Sequence, residues 1–258
     1  MDKRTLLYFT GSLLCIVIVL ILLRGQDDSD EKAKMLAYLE KKYDQEFVIG
    51  EVETYDLGFA AGEWIEAQAT PVFDDKLLFI VTRKGNHSTY KDTYEKKVVD
   101  TTLAEELSPR IKELSEDAQF YVQSSYDGEL NKRLTKLSLN KIQPSVVVGI
   151  PVKTPFDKEN YTERILTFLN EMERQEFEHY TVRIDFTEGN KANVMDKYMK
   201  LSQKDLTQTE KEKQDFSEVK RQYEEAIIEK FTFNSNEVDF KNDPYFIQSL
   251  FNGTFVNK

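Results

Sequence analysis

Few residues of this 258-residue chain stand at spacings that do chemistry. No G-x-x-x-x-G-K-[ST] and no G-x-G-x-x-G occurs, so no phosphate loop is expected, and Gly58 and Gly62 read as turn residues. His87 and His179 are isolated, and the one Cys, Cys15, has no second thiol to join it in a metal site. His87 falls in a polar turn and His179 at a strand start, both structural or surface positions. Ser138-Leu139-Asn140-Lys141 matches the S-x-x-K pattern of penicillin-interacting enzymes. Ser29/Lys32, Ser88/Lys91 and Ser217/Lys220 match it equally, and Lys153-Thr154 is followed by Pro155 where a companion K-T-G would need Gly. Asp74-Asp75 and Asp27-Asp28 lack calcium-loop spacing and read as turn and stalk.

Carboxylates that work as a pair meet only in space and leave no fixed spacing. Glu63 is the single suspect, because a Trp such as its neighbour Trp64 stacks on sugars and raises the pKa of a nearby carboxyl. The plainer reading makes Trp64 a core or edge aromatic of a strand. No residue is assigned as catalytic, cofactor-binding or metal-ligating, and no cofactor is expected.

The element that positions the whole chain is N-terminal. Leu6 to Leu23 is 18 residues without a charge. As a helix it reaches about 27 Å, close to a hydrocarbon core of roughly 30 Å. Leu23-Arg24-Gly25 offers no A-x-A-like cleavage site, and Leu13-Leu14 before Cys15 does not suit a lipoprotein signal. An uncleaved signal anchor is expected over residues 1–24, with a cytoplasmic N-terminus and the rest outside, since a five-residue tail leaves no room for a cytoplasmic domain. The ectodomain then lacks Cys, which favours a bacterial envelope. A net charge of −11 argues against nucleic-acid binding and for basic or cationic partners.

Residues 25–30 read as an acidic stalk, and a helix follows from Glu31 to about Tyr43 with Asp30 as its cap. Strands are expected at Phe47–Thr54, Glu63–Thr70 and Leu77–Arg83, then a helix from Tyr90 to Leu107 that Ser108-Pro109 breaks or restarts. A second unit has Phe120-Tyr121-Val122 and Ser145–Ile150 as strands, with a helical turn or two between Leu130 and Ile142. Its strongest helix is Lys158–Glu176, capped by Asp157. This helix lays Ile165, Phe168, Leu169 and Met172 on a strand carrying Tyr180, Val182, Ile184 and Phe186. Arg183, Asp185 and Glu171 face away and should tolerate replacement within about 0.5 kcal/mol. Met199–Lys213 reads as an exposed connection and Asp215–Lys230 as a last helix. The fold class is α+β: an N-terminal transmembrane helix, then antiparallel sheets packed against helices in two units, 31–118 and 119–258.

Leu39-Glu40-Lys41-Lys42-Tyr43-Asp44-Gln45-Glu46-Phe47-Val48-Ile49 resembles the Tyr-Leu-Glu-Lys-Lys-Tyr opening of many small membrane- or lipid-anchored extracytoplasmic proteins of Gram-positive bacteria. Tyr90-Lys91-Asp92-Thr93-Tyr94 is similar to the Asp-x-Tyr segment after their third strand. Asp44 stands where those proteins have Gly. The resemblance covers residues 31–115 and implies an extracytoplasmic α+β module without implying a reaction. The function expected is a non-enzymatic binding or accessory role in the cell envelope, with the bilayer engaged through Leu6–Leu23 and an envelope protein or wall component as partner. The alternative is a tethered, carboxylate-dependent hydrolase of the cell wall.

Overall fold

A computed structural model describes residues 28–56, 62–85, 87, 89–126, 142–152, 156–177, 179–203, 210–236 and 244–252. Among these, no helix is long and apolar enough to cross a membrane. The run Leu6–Leu23, the Ser138–Lys141 motif and the expected turns between Leu130 and Lys141 lie outside the described residues.

The chain divides into two compact units, with the boundary in the sequence between Thr93 and Tyr94. The first opens with helix α1, residues 28–43, so residues 28–30 of the expected stalk are already helical and Asp30 lies inside the helix. Met35 and Leu39, four residues apart, form its fully buried stripe. The helix ends at Asp44, whose φ is +55° and whose N–H donates to the Glu40 carbonyl at 2.9 Å. That is the left-handed cap for which glycine is the easiest residue.

A meander follows: β1 (Phe47–Asp56), β2 (Glu63–Pro71), β3 (Phe79–Lys84) and β4 (Tyr90–Asp92), all antiparallel and in that spatial order. Alternation sends Phe47, Ala67, Ala69, Phe79 and Val81 inward. The three expected strands are present within two residues at each end. Tyr90 starts a fourth strand rather than a helix.

The second unit opens with α2 (Tyr94–Leu114), which runs unbroken through Pro109. Proline removes one backbone bond there, yet Leu103 and Leu107 before it and Ile111 and Leu114 after it keep one buried stripe. These residues share a core with Val122, Val146, Val148 and Ile165. The unit boundary is therefore at 93/94 and not at 118/119: α2 buries its face among residues that follow it.

Five strands form the second sheet: β5 (Gln119–Tyr126), β6 (Ile142–Val152), β7 (Thr181–Glu188), β8 (Ile227–Asn234) and β9 (Phe251–Asn252), in that order. β6 and β7 are parallel and the other pairs antiparallel. Helix α3 (Lys158–Arg174) makes the crossover that a parallel pair requires. Asp157 caps it, accepting from the Asn160 N–H at 3.1 Å. Ile165, Phe168, Leu169 and Met172 share one core with Val182, Ile184 and Phe186, as the two periodicities require.

The other face of this sheet departs from expectation. Helix α4 (Ala192–Ser202) occupies part of the stretch read as an exposed connection, and α5 (Glu210–Ala226) ends before β8 begins, so Ile227–Lys230 is strand rather than helix. Met195, Tyr198, Met199, Val219 and Tyr223 form a second core with Tyr121, Val147 and Ile227. A Cβ on Gly149 would come within 2.7 Å of Met195 Sδ, so glycine there permits the close approach of α4. Arg183 and Asp185 point into this layer, and Asp185 is fully buried. They are not solvent-facing, because α4 and α5 cover the face assigned to solvent. A short helix, α6 (Pro244–Ser249), adds Ile247 to the first core.

Candidate functional site

Helix α1 lies against the inward face of the first sheet; the opposite face carries the most distinctive group of side chains in the unit. Tyr55 of β1 pairs in register with Trp64 of β2, and Glu53 pairs with Glu66. Paired residues share a face, so two aromatic residues and two carboxylates lie on it together. The Tyr55 hydroxyl donates to Glu53, and Trp64 Nε1 donates to Glu66 Oε2 at 3.0 Å. Each carboxylate is thereby held by the aromatic two residues along its own strand. Glu66 is buried, Glu53 is exposed, and both rings are half-buried. Gln68, exposed, continues the row along β2, and Thr82 and Lys84 of β3 flank it in register with Glu66 and Trp64.

Glu63 does not meet its neighbour Trp64. Adjacent strand residues point to opposite faces, and Glu63 turns to the α1 side, where it lines a cavity of about 380 Å³ with Asp28, Asp30, Glu31, Lys34 and Arg83. Inside this cavity, Arg83 Nε donates to Glu31 Oε1 at 2.8 Å and Tyr90 donates to the same oxygen at 2.9 Å. Burial raises the Glu31 pKa, but the bonds from Arg83 and Tyr90 outweigh it and hold the carboxyl below its ordinary value. Tyr90 is pushed up to about 12, by burial and then by Glu31.

Asp92 is a second such centre. Tyr38 and Tyr43 donate to it at 2.7 and 2.6 Å, and Lys42 Nζ lies at 2.8 Å. Burial raises its pKa; the bonds from Lys42, Tyr38 and Tyr43 reverse that and leave it lowered. In the second unit, Asp185 accepts from Arg183 Nε at 2.9 Å and from Tyr223 at 3.0 Å. Burial lowers the Arg183 pKa, and Asp185 more than restores it. Burial, then Asp185, pushes the Tyr223 hydroxyl well above its ordinary value. All three carboxylates are structural ties between elements. Among the described residues no group of three or more His, Cys, Asp or Glu could hold a metal ion.

The remaining expected positions are not brought together. His87 and His179 are exposed. The Asp74 carboxylate accepts from the Lys76 N–H at 3.1 Å, which makes Asp74-Asp75 a turn as expected. Ser217 donates to the Lys213 carbonyl of its own helix at 2.8 Å, and Ser29 is an exposed residue of α1. Ser88 and Cys15 lie outside the described residues. The pairing of Tyr55 and Glu53 with Trp64 and Glu66 was missed. Its signal was the repeated spacing of an aromatic and a Glu two apart on adjacent strands, which becomes a site only when the register is known.

No protein-family profile matches the chain, and no curated protein does either. The crystal structure of a DUF5037 family protein from Ruminococcus gnavus ATCC 29149 superposes at a TM-score of 0.45 and 14% identity, covering 84% of this chain and 98% of that one.

Proposed function

We propose that this chain is a single-pass, membrane-tethered extracytoplasmic protein with a non-enzymatic binding role in the bacterial cell envelope. The uncharged run Leu6–Leu23 supports the tether, with Lys3 and Arg4 on its cytoplasmic side. One observation carries the binding role: the Tyr55–Trp64 pair is presented on a sheet face beside an exposed carboxylate, while the buried carboxylates are bound to partners of their own. Rings pre-oriented by hydrogen bonds are suited to holding a ligand at low entropic cost. Hydrolysis of a glycosidic bond would need two carboxyls converging on one ligand. Here Glu66 is only 3% exposed and Glu63 lies on the other face.

Two experiments test this. A reporter fused after Lys258 is expected to be active only outside the cytoplasm, with residues 1–24 kept in the mature protein. Cytoplasmic activity, or a mature N-terminus near Gly25, would refute the tether. Capture of envelope material on the tagged full chain should weaken when Trp64 is replaced by Ala; release of cleaved wall fragments instead would assign the chain to hydrolysis.

A further inference from the structure

We infer that the Tyr55–Trp64 face binds glycan chains bearing free amino groups, the rings stacking on a sugar and the Glu53 carboxylate pairing with its ammonium. This rests on the binding role proposed above and names its ligand class.

Tyr55 and Trp64 are opposite each other across β1 and β2, so their Cβ atoms are about 5 Å apart and both rings belong to one aromatic strip of the sheet face. Both rings are half-buried, which leaves part of each open to a ligand. Their polar ends are already bonded, to Glu53 and Glu66. What remains for a ligand is the ring surface, and an aromatic surface favours cations and the apolar face of a sugar ring.

Charge fixes the class further. The exposed carboxylate at the strip is Glu53, next to Tyr55. On the far side of Trp64 stands the exposed cation Lys84. An ammonium is therefore drawn to the Tyr55 end and repelled from the β3 end, which orients the ligand across the strands. The chain's net charge of −11 adds a general attraction for cations. A basic peptide is the less suitable occupant. Extended peptides bind sheet edges through backbone hydrogen bonds. The strip is on a face and offers side chains only, with the Gln68 amide alongside for a hydroxyl-bearing ring.

Trp64 is the chain's only tryptophan, so its fluorescence reports on this face alone. The full chain in detergent is titrated with a β-1,4-linked glucosamine tetramer, its N-acetylated counterpart and tetralysine. The glucosamine tetramer is expected to shift Trp64 emission saturably and to bind about tenfold more tightly than the acetylated form, a difference that Glu53→Gln abolishes. Tyr55→Leu should weaken the glucosamine tetramer by about tenfold with an unchanged circular dichroism spectrum. Equal binding of the acetylated tetramer would overturn the ammonium claim, and tetralysine binding as tightly as the sugar would overturn the glycan claim. An unmoved Trp64 emission in the folded chain would overturn both. None of these failures would alter where the reporter after Lys258 is active, so the tether is judged separately.

Discussion

Replacing Arg183 by Ala should damage the second unit about as much as emptying its core. Arg183 keeps 29% of its side chain exposed, but its partner Asp185 keeps none. Without the guanidinium, Asp185 retains only the Tyr223 hydroxyl at 3.0 Å. Removing one member of a buried pair costs about 3–5 kcal/mol, because the other charge stays in a poorly polarisable interior. Ile184→Ala, next along β7 and facing the other core, should cost about 2–5 kcal/mol through lost burial and a cavity. Glu171→Ala, at a half-buried position of α3 whose carboxylate pairs with the exposed Arg174, should cost within about 1 kcal/mol. The double variant Arg183→Ala, Asp185→Ala should be less destabilised than the sum of its parts, since it leaves no carboxylate stranded. Trp64 belongs to the first unit, so urea unfolding must be followed by near-ultraviolet circular dichroism of the tyrosines. Tyr198 and Tyr223 are stacked at 4.2 Å beside the pair and are suited to that signal. If Arg183→Ala proved as mild as Glu171→Ala, Asp185 would have to reach solvent, and the covering of that face by α4 and α5 would be wrong.

Other outcomes follow from the same geometry. Asp44→Gly should stabilise the first unit by about 1 kcal/mol by relieving a left-handed backbone at φ +55°, read as a higher urea midpoint in Trp64 fluorescence. Gly149→Ala should cost about 1–3 kcal/mol, because the added methyl meets Met195 Sδ and Cγ at 2.7 and 2.8 Å. Glu31 and Asp92 are both held below their ordinary values of 4.5 and 3.8. Depressed carboxylates contribute stability that is full above the unfolded values and is lost as pH falls through the folded ones. The first unit should therefore weaken progressively below about pH 4.5, and Asp92→Asn should be less stable at neutral pH with a shallower acid limb.

Periodicity alone located α3, β7 and the three long strands of the first unit, because in each an apolar residue recurs at a spacing that only one backbone conformation turns inward. It failed where two signals competed. Lys200, Gln203 and Lys204 make the end of α4 look like part of a solvated connection, though Met195, Tyr198 and Met199 stand at helical spacing. Phe231 and Phe233 alternate as a strand should, but they follow a helical stretch so closely that the helix was carried past Ala226. The misreading of Arg183 and Asp185 was a consequence of missing α4: without a second layer, alternate residues of β7 have nowhere to go but water. Trp64 stands out by type, and its sequence neighbour Glu63 is the carboxylate that suggests itself as its partner. Alternation separates those two and brings in Glu66, and register brings in Tyr55 and Glu53 from another strand. Nothing local in a sequence encodes register.

The two sheets differ in how far apart in the chain their paired strands lie, and this sets a timetable for folding. The first unit is a meander in which each strand pairs with the next, so its loops close early and cheaply. In the second, β7 must find β6 across the whole of α3, and β8 must find β7 across α4 and α5. Proteins dominated by distant pairings fold more slowly than those built from local ones. During synthesis the meander also emerges first. Trp64 should thus reach its native emission before the tyrosines around Asp185 reach theirs, and refolding watched by tryptophan alone would finish while half of the protein is still unmade.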